Sequence, residues 1–496
     1  MKKIDVLIVG AGISGIGAAC HIKQNCPDRT FAVLETRQAI GGTWDFFRYP
    51  GIRSDSDMYT MGYSFKPWVD DKALADGESI RDYICEAATE NNIDQHLLTG
   101  HRVQAAHWHS GQACWHVEVL VLATNEVVQY QCEFLYLCTG YYDYDNPYMP
   151  EFKGSENFNG ELVHPQHWSA DLDYSNKKVV VIGSGATAVT LVPAMAKKAA
   201  HVTMLQRTPS YILSVDEVDS VSAFLRRYVP DKLTYAITRW KNILMGMLVY
   251  QVCTRKPSWA KAVVRKGLIK LLGEQYDIDK HFSPSYDPWD QRLCMVPDGD
   301  LFHAINEGKA SVVTDHIDRF VENGIQLNSG EVLEADIVVT ATGLKLLTGG
   351  SANFEVDGQK IDFGNSINYK GVMMSGVPNL GMTFGYTNSS WTLKADLTSE
   401  YICRLLNHME SNGFDFAVPT LPADGSVQPE PLLDFSSGYV QRAIADLPKQ
   451  GQEKPWRLNQ NYALDTINLR HRTVADDTLV FGKAKVQAKT RDLEAA

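Results

Sequence analysis

Residues 2–15 read KKIDVLIVGAGISG, an apolar run that leads into a turn containing Gly10, Gly12 and Gly15. A helix-like segment follows, and a second apolar run, FAVLE, ends at Glu35. In a β-α-β unit, glycines at these positions make a tight turn, let a pyrophosphate approach backbone N–H groups and allow the helix to pack on the strand. This order of elements predicts a dinucleotide-binding unit. The alternative is a plain glycine turn followed by an unrelated surface glutamate.

The same order of elements returns in KKVVVIGSGATA, where four apolar residues lead into Gly183, Gly185 and Ala188. A helical segment and the strand HVTMLQR follow, so we predict a second dinucleotide-binding unit. Two other apolar strands, EFLYLCTG at 133–140 and ADIVVTATG at 335–343, both end in Thr-Gly. These two segments either lead the chain from one dinucleotide-binding unit to the other, or they are ordinary strands that end in a turn.

The two units differ in the charge that ends the second strand. It is Glu35 in the first unit, 25 residues after Gly10, and Arg207 in the second, 24 residues after Gly183. A carboxylate accepts hydrogen bonds from an adenosine ribose and repels a 2′-phosphate, whereas a guanidinium suits that phosphate, which Thr208 could contact too. We therefore predict FAD in the first unit and NADPH in the second, with electrons moving between them.

The amino-acid composition limits which partners and which cellular compartment we expect for the protein. The 496 residues carry 47 basic and 59 acidic side chains, and the net charge of −12 disfavours nucleic acid as a partner. Nine cysteines lack the paired spacing of a metal site or a secreted disulfide framework, so we expect reduced thiols and a cytoplasmic protein. The N-terminal apolar run is too short for the core of a signal peptide and is read as a strand.

The longest apolar stretch, ILMGMLVYQVC at 243–253, is shorter than the roughly 20 residues that cross a bilayer, so we predict no transmembrane segment. Its flanks are basic, which leaves weak peripheral membrane contact as one interpretation, but we favour a buried helix of a small insert. The surrounding residues 213–290 lack glycine turns and regular strand patterns and show helical spacing. We expect this segment to roof the substrate site.

Residues 41–57 read GGTWDFFRYPGIRSDSD and mix aromatic rings with arginines and acids. This stretch resembles a motif of the class B flavoprotein monooxygenases of the Baeyer–Villiger type, and every specified position is filled: Gly41, Gly42, Trp44, Tyr49, Pro50, Gly51 and Asp55. A second motif of that family, FxGxxxHxxxW, is matched by Phe158, Gly160, His164 and Trp168, although Ser169 replaces the Pro or Asp that follows. Further stretches, including YDPWDQRLCMVPDGDLF and TNSSWTLKADLTSEYICRLL, resemble the ethionamide-activating branch, so the resemblance covers essentially the whole chain.

The resemblance implies an α/β fold with two Rossmann-like dinucleotide-binding domains and a small helical insert. We assign residues 1–145 and 351–496 to the FAD-binding domain, 146–212 and 291–350 to the NADPH-binding domain, and 213–290 to the insert near the substrate site. The implied activity uses NADPH and O2, proceeds through a C4a-peroxyflavin, inserts one oxygen atom into ketones to give esters and also oxidises thioethers. No metal is expected.

The resemblance also implies which side chains act. Arg292 matches the family arginine that stabilises the oxygenating flavin and contacts the nicotinamide, because an arginine stays charged at working pH. Asp55 matches the acid that holds this arginine, with a helix N-cap as its alternative. The cofactor-binding set further includes Gly42, Thr43 and Trp44.

Other residues receive weaker interpretations. His164 is read as a residue that positions the connection to the NADPH domain and not as a general base, although its ordinary pKa lies near neutrality. Trp391 is a candidate for the substrate or nicotinamide pocket, with core packing as an equal alternative. Arg53 and Asp57 are read as surface or hinge residues.

Three other functions share parts of this pattern. A flavin monooxygenase restricted to sulfur and nitrogen and an uncoupled NADPH oxidase would use the same cofactors, and a flavin-bearing sensor would bind them without turnover. The disulfide oxidoreductases that use pyridine nucleotides are disfavoured, because they need a CxxC or CxxxxC pair beside the flavin. Cys20 and Cys26 have five residues between them and are read as packing residues.

Overall fold

The largest sheet of the protein is built around its N-terminal strand. The computed structural model describes residues 1–433 and 435–484, so the end of the predicted 351–496 segment lies outside the described residues. Eight strands follow in the order Gln359–Lys360, Asn353–Val356, His101–His109, Cys114–Val121, Glu126–Leu137, Lys2–Val9, Phe31–Leu34 and Leu97–Leu98, and a ninth, Leu380–Met382, also pairs with Glu126–Leu137. Lys2–Val9 runs parallel to Phe31–Leu34, and the helix Ile13–Asn25 connects them. The first predicted β-α-β unit is therefore present.

The second sheet contains only parallel strands. Their order is Ala310–Thr314, His201–Gln206, Lys178–Ile182, Ile337–Thr340 and Glu161–Val163. The helix Ala186–Met195 joins two of them and packs on the sheet. Because such a sheet is covered on both faces, its strands are apolar runs without alternation, as VVVI and IVVT are. The predicted α/β fold with two Rossmann-like domains is confirmed.

Smaller elements complete the described chain. Gly324–Leu327 is the central strand of a three-stranded sheet, between Ile317–Val321 and Val332–Glu334. Four pairs of short strands are Ile212–Val215 with Cys294–Pro297, Asn368–Tyr369 with Met373–Met374, Phe416–Pro419 with Leu479–Gly482, and Glu430–Pro431 with Lys449–Gln450. The remaining α-helices are Thr43–Phe46, Met58–Met61, Gly77–Glu90, Ser220–Leu225, Asp231–Arg255, Pro257–Leu272, Ile278–His281, Asp300–Asn306, Trp391–Asn412, Gly438–Ala443 and Tyr462–Asp465. Across the part of the chain that the structure describes, no helix is both long enough and apolar enough to cross a membrane.

The insert differs from its prediction in two respects. The apolar stretch 243–253 belongs to the helix Asp231–Arg255, but it is not a buried helix: Ile243 is buried, whereas Leu244 and Leu248 are exposed. The reason is that the hydrogen bonds of the buried Arg239 determine which side of this helix faces the protein. The boundary predicted at residue 213 falls inside the strand Ile212–Val215. This strand pairs with Cys294–Pro297, which comes after the insert, so a local sequence pattern could not predict the pairing. The domain boundaries themselves stay a prediction.

A buried carboxylate joins three helices of the first domain and the insert. Asp396 accepts a hydrogen bond from Ser64 N at 2.9 Å, lies 3.3 Å from His21 Nε2 and pairs with Arg239 Nη2 at 3.6 Å. Although burial opposes it, these partners together lower the pKa of Asp396 below its ordinary value. A carboxylate with a lowered pKa adds stability above its unfolded-state pKa, and this contribution is lost as pH falls through the folded-state value.

We expect Asp396→Asn to lower the free energy of unfolding at neutral pH by about 3 kcal/mol, because removing one partner leaves the other charges buried. Urea unfolding from pH 7 down to pH 3 measures this, and the difference from wild type should shrink as the pH becomes more acidic. Asp82→Asn, which removes an exposed carboxylate paired with Arg81, is the control and should cost at most about 1 kcal/mol. Equal effects of the two variants would contradict the assignment.

Candidate active site

Both predicted glycine turns lie at the carboxyl ends of parallel strands, and each is held against a Thr-Gly strand end. A Cβ on Gly10 would lie 2.6 Å from the carbonyl oxygen of Cys138, and one on Gly183 would lie 2.3 Å from that of Ala341. The φ angles of these glycines, +101° and +140°, also favour glycine. The repeated Thr-Gly ends therefore support the two turns, in addition to ending strands.

The remaining positions of the turns differ between the units. A Cβ on Gly15 would lie 1.8 Å from the carbonyl oxygen of Gly10, so the first helix approaches its turn more closely than any side chain allows. The second turn carries the buried Ala188 at the equivalent position. A Cβ on Gly185 would meet no atom within 4 Å, which leaves open space in front of this turn.

The glycine pair at 41–42 packs on the first turn. Gly41 N donates to the carbonyl oxygen of Ala11 at 3.0 Å, and a Cβ on Gly42 would lie 2.9 Å from Gly12 Cα. The pair leads into the helix Thr43–Phe46, where the Thr43 hydroxyl lies 3.0 Å from the Tyr144 hydroxyl. Gly12, Gly42, Thr43 and the half-buried Trp44 all line one cavity.

Glu35 stands at the first turn, as the sequence predicts. Its Oε2 accepts from Ala11 N at 2.8 Å and its Oε1 from Arg37 N at 2.8 Å. Burial raises the pKa of Glu35 above its ordinary value, and these two N–H groups partly offset that effect. The carboxylate is thus fixed at the end of the strand and faces the cavity.

Arg207 and Thr208 stand at the equivalent place in the second unit. Both side chains are exposed and line the same cavity. Within residues 1–433 and 435–484, no carboxylate lies within ion-pair distance of Arg207. The Ser184 hydroxyl donates to the carbonyl oxygen of Thr208 at 3.0 Å, which fixes the backbone beside the arginine. The guanidinium is therefore free to receive an anion.

The predicted catalytic pair is formed by residues 237 positions apart in the sequence. Arg292 Nε donates to Asp55 Oδ2 at 2.9 Å, and Arg292 Nη2 donates to Asp55 Oδ1 at 2.7 Å. The neighbouring carboxylate raises the pKa of Arg292 above its ordinary value. Asp55 does not cap the next helix; Asp57 does, because its carboxylate accepts from Thr60 N. Asp57, read from sequence as a surface or hinge residue, thus has a local structural role.

A single cavity of about 1130 Å³ connects these groups. It is lined by both glycine turns, Glu35, Arg207, Asp55 and Arg292, and also by Tyr141, Tyr142, Trp391 and Tyr439. Burial raises the pKa of Tyr439 to about 12 and that of Tyr142 further, so these rings stay neutral beside the ion pair. No residue of 213–290, all of which the structure describes, lines this cavity. The insert contacts residues 59–62 through Arg239, and its role as a roof of the substrate site stays a prediction.

The second motif organises the connection between the domains. A Cβ on Gly160 would lie 2.3 Å from the carbonyl oxygen of Asp336, so the motif packs closely on the second sheet, and Phe158 contacts Phe320. His164 is buried, its Nδ1 accepts from Gln166 N at 3.1 Å, and burial lowers its pKa. Trp168 packs on Tyr174.

Sequence reasoning missed several residues of the site. Gln166, inside the second motif, donates to the carbonyl oxygens of Asp143 and Tyr144 and so ties the motif to the connection between domains. Tyr141 and Tyr142 directly follow the first Thr-Gly end, a position that could have marked them. No sequence motif adjoins Tyr439, so its place in the cavity could not be predicted. Trp391 Nε1 donates to Ser14 Oγ at 2.7 Å, which anchors the indole at the first turn.

Comparison with known proteins identifies the family. The sequence model described as pyridine nucleotide-disulphide oxidoreductase matches residues 7–247. The FAD-containing monooxygenase EthA of Mycobacterium tuberculosis (strain CDC 1551 / Oshkosh) is 51% identical over 483 residues, which make up 97% of this chain and 98% of that protein. The chain belongs to this family of FAD-containing monooxygenases. The family predicted from the two motifs is thereby confirmed, and all nine cysteines are free thiols.

Solved structures of this fold include an oxidized steroid monooxygenase bound to NADP, with a TM-score of 0.76, 19% identity and coverage of 97% of this chain and 100% of that one. OTEMO in complex with FAD and NADP superposes with a TM-score of 0.70, 22% identity and coverage of 84% and 88%. At these identities the likeness concerns the fold.

The residues present fit both dinucleotides. Gly10 and Gly183 allow the close strand packing that the turns need, and Gly12 lets the Gly41–Gly42 pair pack on the first turn. Gly185 leaves open space for a phosphate near backbone N–H groups. Glu35 offers a fixed carboxylate to a ribose, and Arg207 offers an unpaired guanidinium to a phosphate. The opposite charges predicted from sequence thus face one shared cavity.

Proposed function

We propose that the protein is a cytoplasmic, NADPH- and O2-dependent FAD monooxygenase that inserts one oxygen atom into ketones to give esters and also oxidises thioethers. The observation that carries this proposal is the two-pronged contact between Arg292 and Asp55 inside the cavity shared by the two glycine turns. A permanent cation beside both cradles suits a reaction in which negative charge develops on oxygen.

The chain's own residues supply position and charge. FAD, when bound, supplies the chemistry of O2 activation and oxygen transfer. Asp55 occupies Nε and Nη2 of Arg292, and across the described residues Nη1 makes no hydrogen bond, so it is available to a ligand. Because the raised pKa keeps the guanidinium charged, no proton is lost from it during turnover.

The dinucleotide assignments follow from charge. Glu35 would receive the ribose hydroxyls of FAD, and Gly12, Gly42 and Trp44 would line its approach. Arg207 and Thr208 would receive the 2′-phosphate of NADPH at the second turn. His164, Phe158, Gly160 and Trp168 would hold the connection between the two domains in a fixed geometry.

Product analysis tests this function. We expect purified enzyme supplied with NADPH and air to convert a methyl ketone into an ester and a thioether into a sulfoxide, both detected by gas chromatography. Sulfoxide without ester would assign the protein to oxygenation of sulfur and nitrogen alone. Hydrogen peroxide equal to the NADPH consumed, with neither product, would make it an NADPH oxidase and overturn the proposal.

Arg207→Ala tests the second nucleotide site. We expect kcat/KM for NADPH to fall by about 10- to 100-fold, since a hydrogen bond to a charged group contributes about 1.5 to 3 kcal/mol, while kcat/KM for NADH stays nearly unchanged. Steady-state kinetics with both nucleotides measure the ratio. Arg457→Ala, an exposed arginine outside the cavity, is the control. An unchanged NADPH to NADH preference would place phosphate recognition elsewhere.

A further inference from the structure

The long insert helix, Asp231–Arg255, buries several polar side chains and exposes many apolar ones. Its inward face carries the buried side chains of Thr234, Thr238 and Arg239 beside those of Tyr235, Ile243 and Cys253. Arg239 Nη1 donates to the carbonyl oxygens of Tyr59 at 2.8 Å and Gly62 at 2.7 Å, and its Nη2 pairs with Asp396. These polar contacts fix which side of the helix faces the protein, so the helix cannot roll to bury its other face.

The outward face of this helix is an apolar stripe. Leu233, Ile237, Trp240, Leu244 and Leu248 follow at intervals of three or four residues, so they share one side of the helix. Each is between 42% and 59% exposed. A helix on the surface of a globular protein ordinarily turns such a stripe toward the core. A contiguous apolar stripe directed outward indicates a surface that contacts something apolar.

Neighbouring segments extend the apolar surface. Phe224 and Tyr228, just before the helix, are exposed, and their rings lie 5.5 Å apart. Trp259 and Val263 are exposed on the following helix, Pro257–Leu272. We call the outward side of residues 220–272 the insert face.

The insert face is also strongly basic. Residues 220–272 contain eleven lysines and arginines and one aspartate, a net charge of +10 in a chain whose net charge is −12. Within the described ranges, six of these cations have no acidic partner in ion-pair distance: Arg227, Lys232, Arg255, Lys256, Lys266 and Lys270. The positive charge is therefore available to an external anionic surface.

We propose that the insert face docks on the surface of an anionic lipid bilayer. An apolar stripe flanked by lysine and arginine enters the boundary between head groups and acyl chains, while the cations contact acidic head groups. A second copy of the chain is a poorer occupant, because symmetric pairing of this face would bring together two surfaces that each carry six cations without an acidic partner. This docking is independent of the proposed function, since none of the residues 213–290 lines the cavity.

Vesicle co-sedimentation of the full-length protein tests the proposal. We expect binding to vesicles of equal parts phosphatidylglycerol and phosphatidylcholine, and much weaker binding to phosphatidylcholine alone or at high salt. The double variant Leu244→Glu/Leu248→Glu should bind the anionic vesicles at least about tenfold more weakly, because two apolar contacts are replaced by charges of the wrong sign. The matched control Leu122→Glu/Val127→Glu alters two exposed apolar residues of the hairpin that joins Cys114–Val121 to Glu126–Leu137, and it should bind like wild type.

Three outcomes would overturn the proposal: no binding to anionic vesicles, equal binding to neutral vesicles, or equal loss in the control variant. A concentration-dependent dimer that the Leu244→Glu/Leu248→Glu change abolishes, in the absence of vesicle binding, would assign the face to a second copy instead. Circular dichroism establishes that each variant is folded. A milder pair, Leu233→Ser/Ile237→Ser, repeats the test if the glutamates disturb the helix.

Discussion

Replacing Arg292 by alanine is expected to lower ester and sulfoxide formation by about 100- to 1000-fold, the usual effect of removing one charged stabilising group. FAD binding and reduction by NADPH should persist, because the glycine turns, Glu35 and Arg207 are untouched. Consumed NADPH should then appear as hydrogen peroxide. Gas chromatography of the products, with a peroxide assay on the same reactions, measures both quantities.

The chain offers a closely matched control for this variant. Arg470 makes the same two-pronged contact with Glu400, with Nε at 2.6 Å and Nη2 at 2.7 Å, but lies outside the cavity. Arg470→Ala should leave product per NADPH unchanged even if it costs stability. Asp55→Asn should fall between wild type and Arg292→Ala, since the amide retains one acceptor but loses the charge. Retained ester formation in Arg292→Ala would remove this residue from the mechanism.

Gly15→Ala is expected to yield protein without flavin. The added Cβ would lie 1.8 Å from the carbonyl oxygen of Gly10, and a backbone atom cannot move aside as a flexible side chain can. The helix Ile13–Asn25 must therefore shift away from its turn, at a cost of about 3 kcal/mol, and the phosphate cradle is lost with it. The absorbance spectrum of the purified variant, with and without added FAD, measures flavin content.

Alanine substitutions at two other glycines distinguish the effect of backbone strain from the effect of blocking nucleotide binding. Gly111→Ala lies in a hairpin with no atom near the added Cβ, so normal flavin content is expected. Gly185→Ala also meets no protein atom within 4 Å, and its φ of −85° suits any residue, so the fold should be unaffected while the KM for NADPH rises by about tenfold or more. Full flavin content in Gly15→Ala would contradict the assigned cradle.

The sequence determined the two β-α-β units because their information is local. Gly10, Gly15 and Glu35 lie within one short segment, and the angles and distances they require can be read from residue type alone. The opposite charges of Glu35 and Arg207 can likewise be predicted locally, because each residue lies close in sequence to its own glycine turn. The contact of Arg292 with Asp55 is not, since 237 positions separate them, and it could be predicted only through the family resemblance.

The orientation of the insert shows where sequence patterns mislead. Residues 243–253 are apolar, and the ordinary rule places such residues inside. Here Arg239 satisfies four oxygen acceptors around residues 59–62 and Tyr235, and these contacts determine the inward side. Because such long-range polar contacts leave no periodic pattern, burial of the opposite face was the wrong expectation.

The contact of Gly51 with the second domain has a mechanical consequence. A Cβ there would lie 2.7 Å from Ala194 Cβ, so the segment carrying Asp55 rests directly on the helix Ala186–Met195, while Arg292 lies just before the strand Cys294–Pro297. Asp55 and Arg292 are thus carried by separate parts of the chain, 237 positions apart, and only their side chains meet. Any change in the relative position of these two parts therefore changes the distance between the carboxylate and the guanidinium, and with it the positive charge available in the cavity.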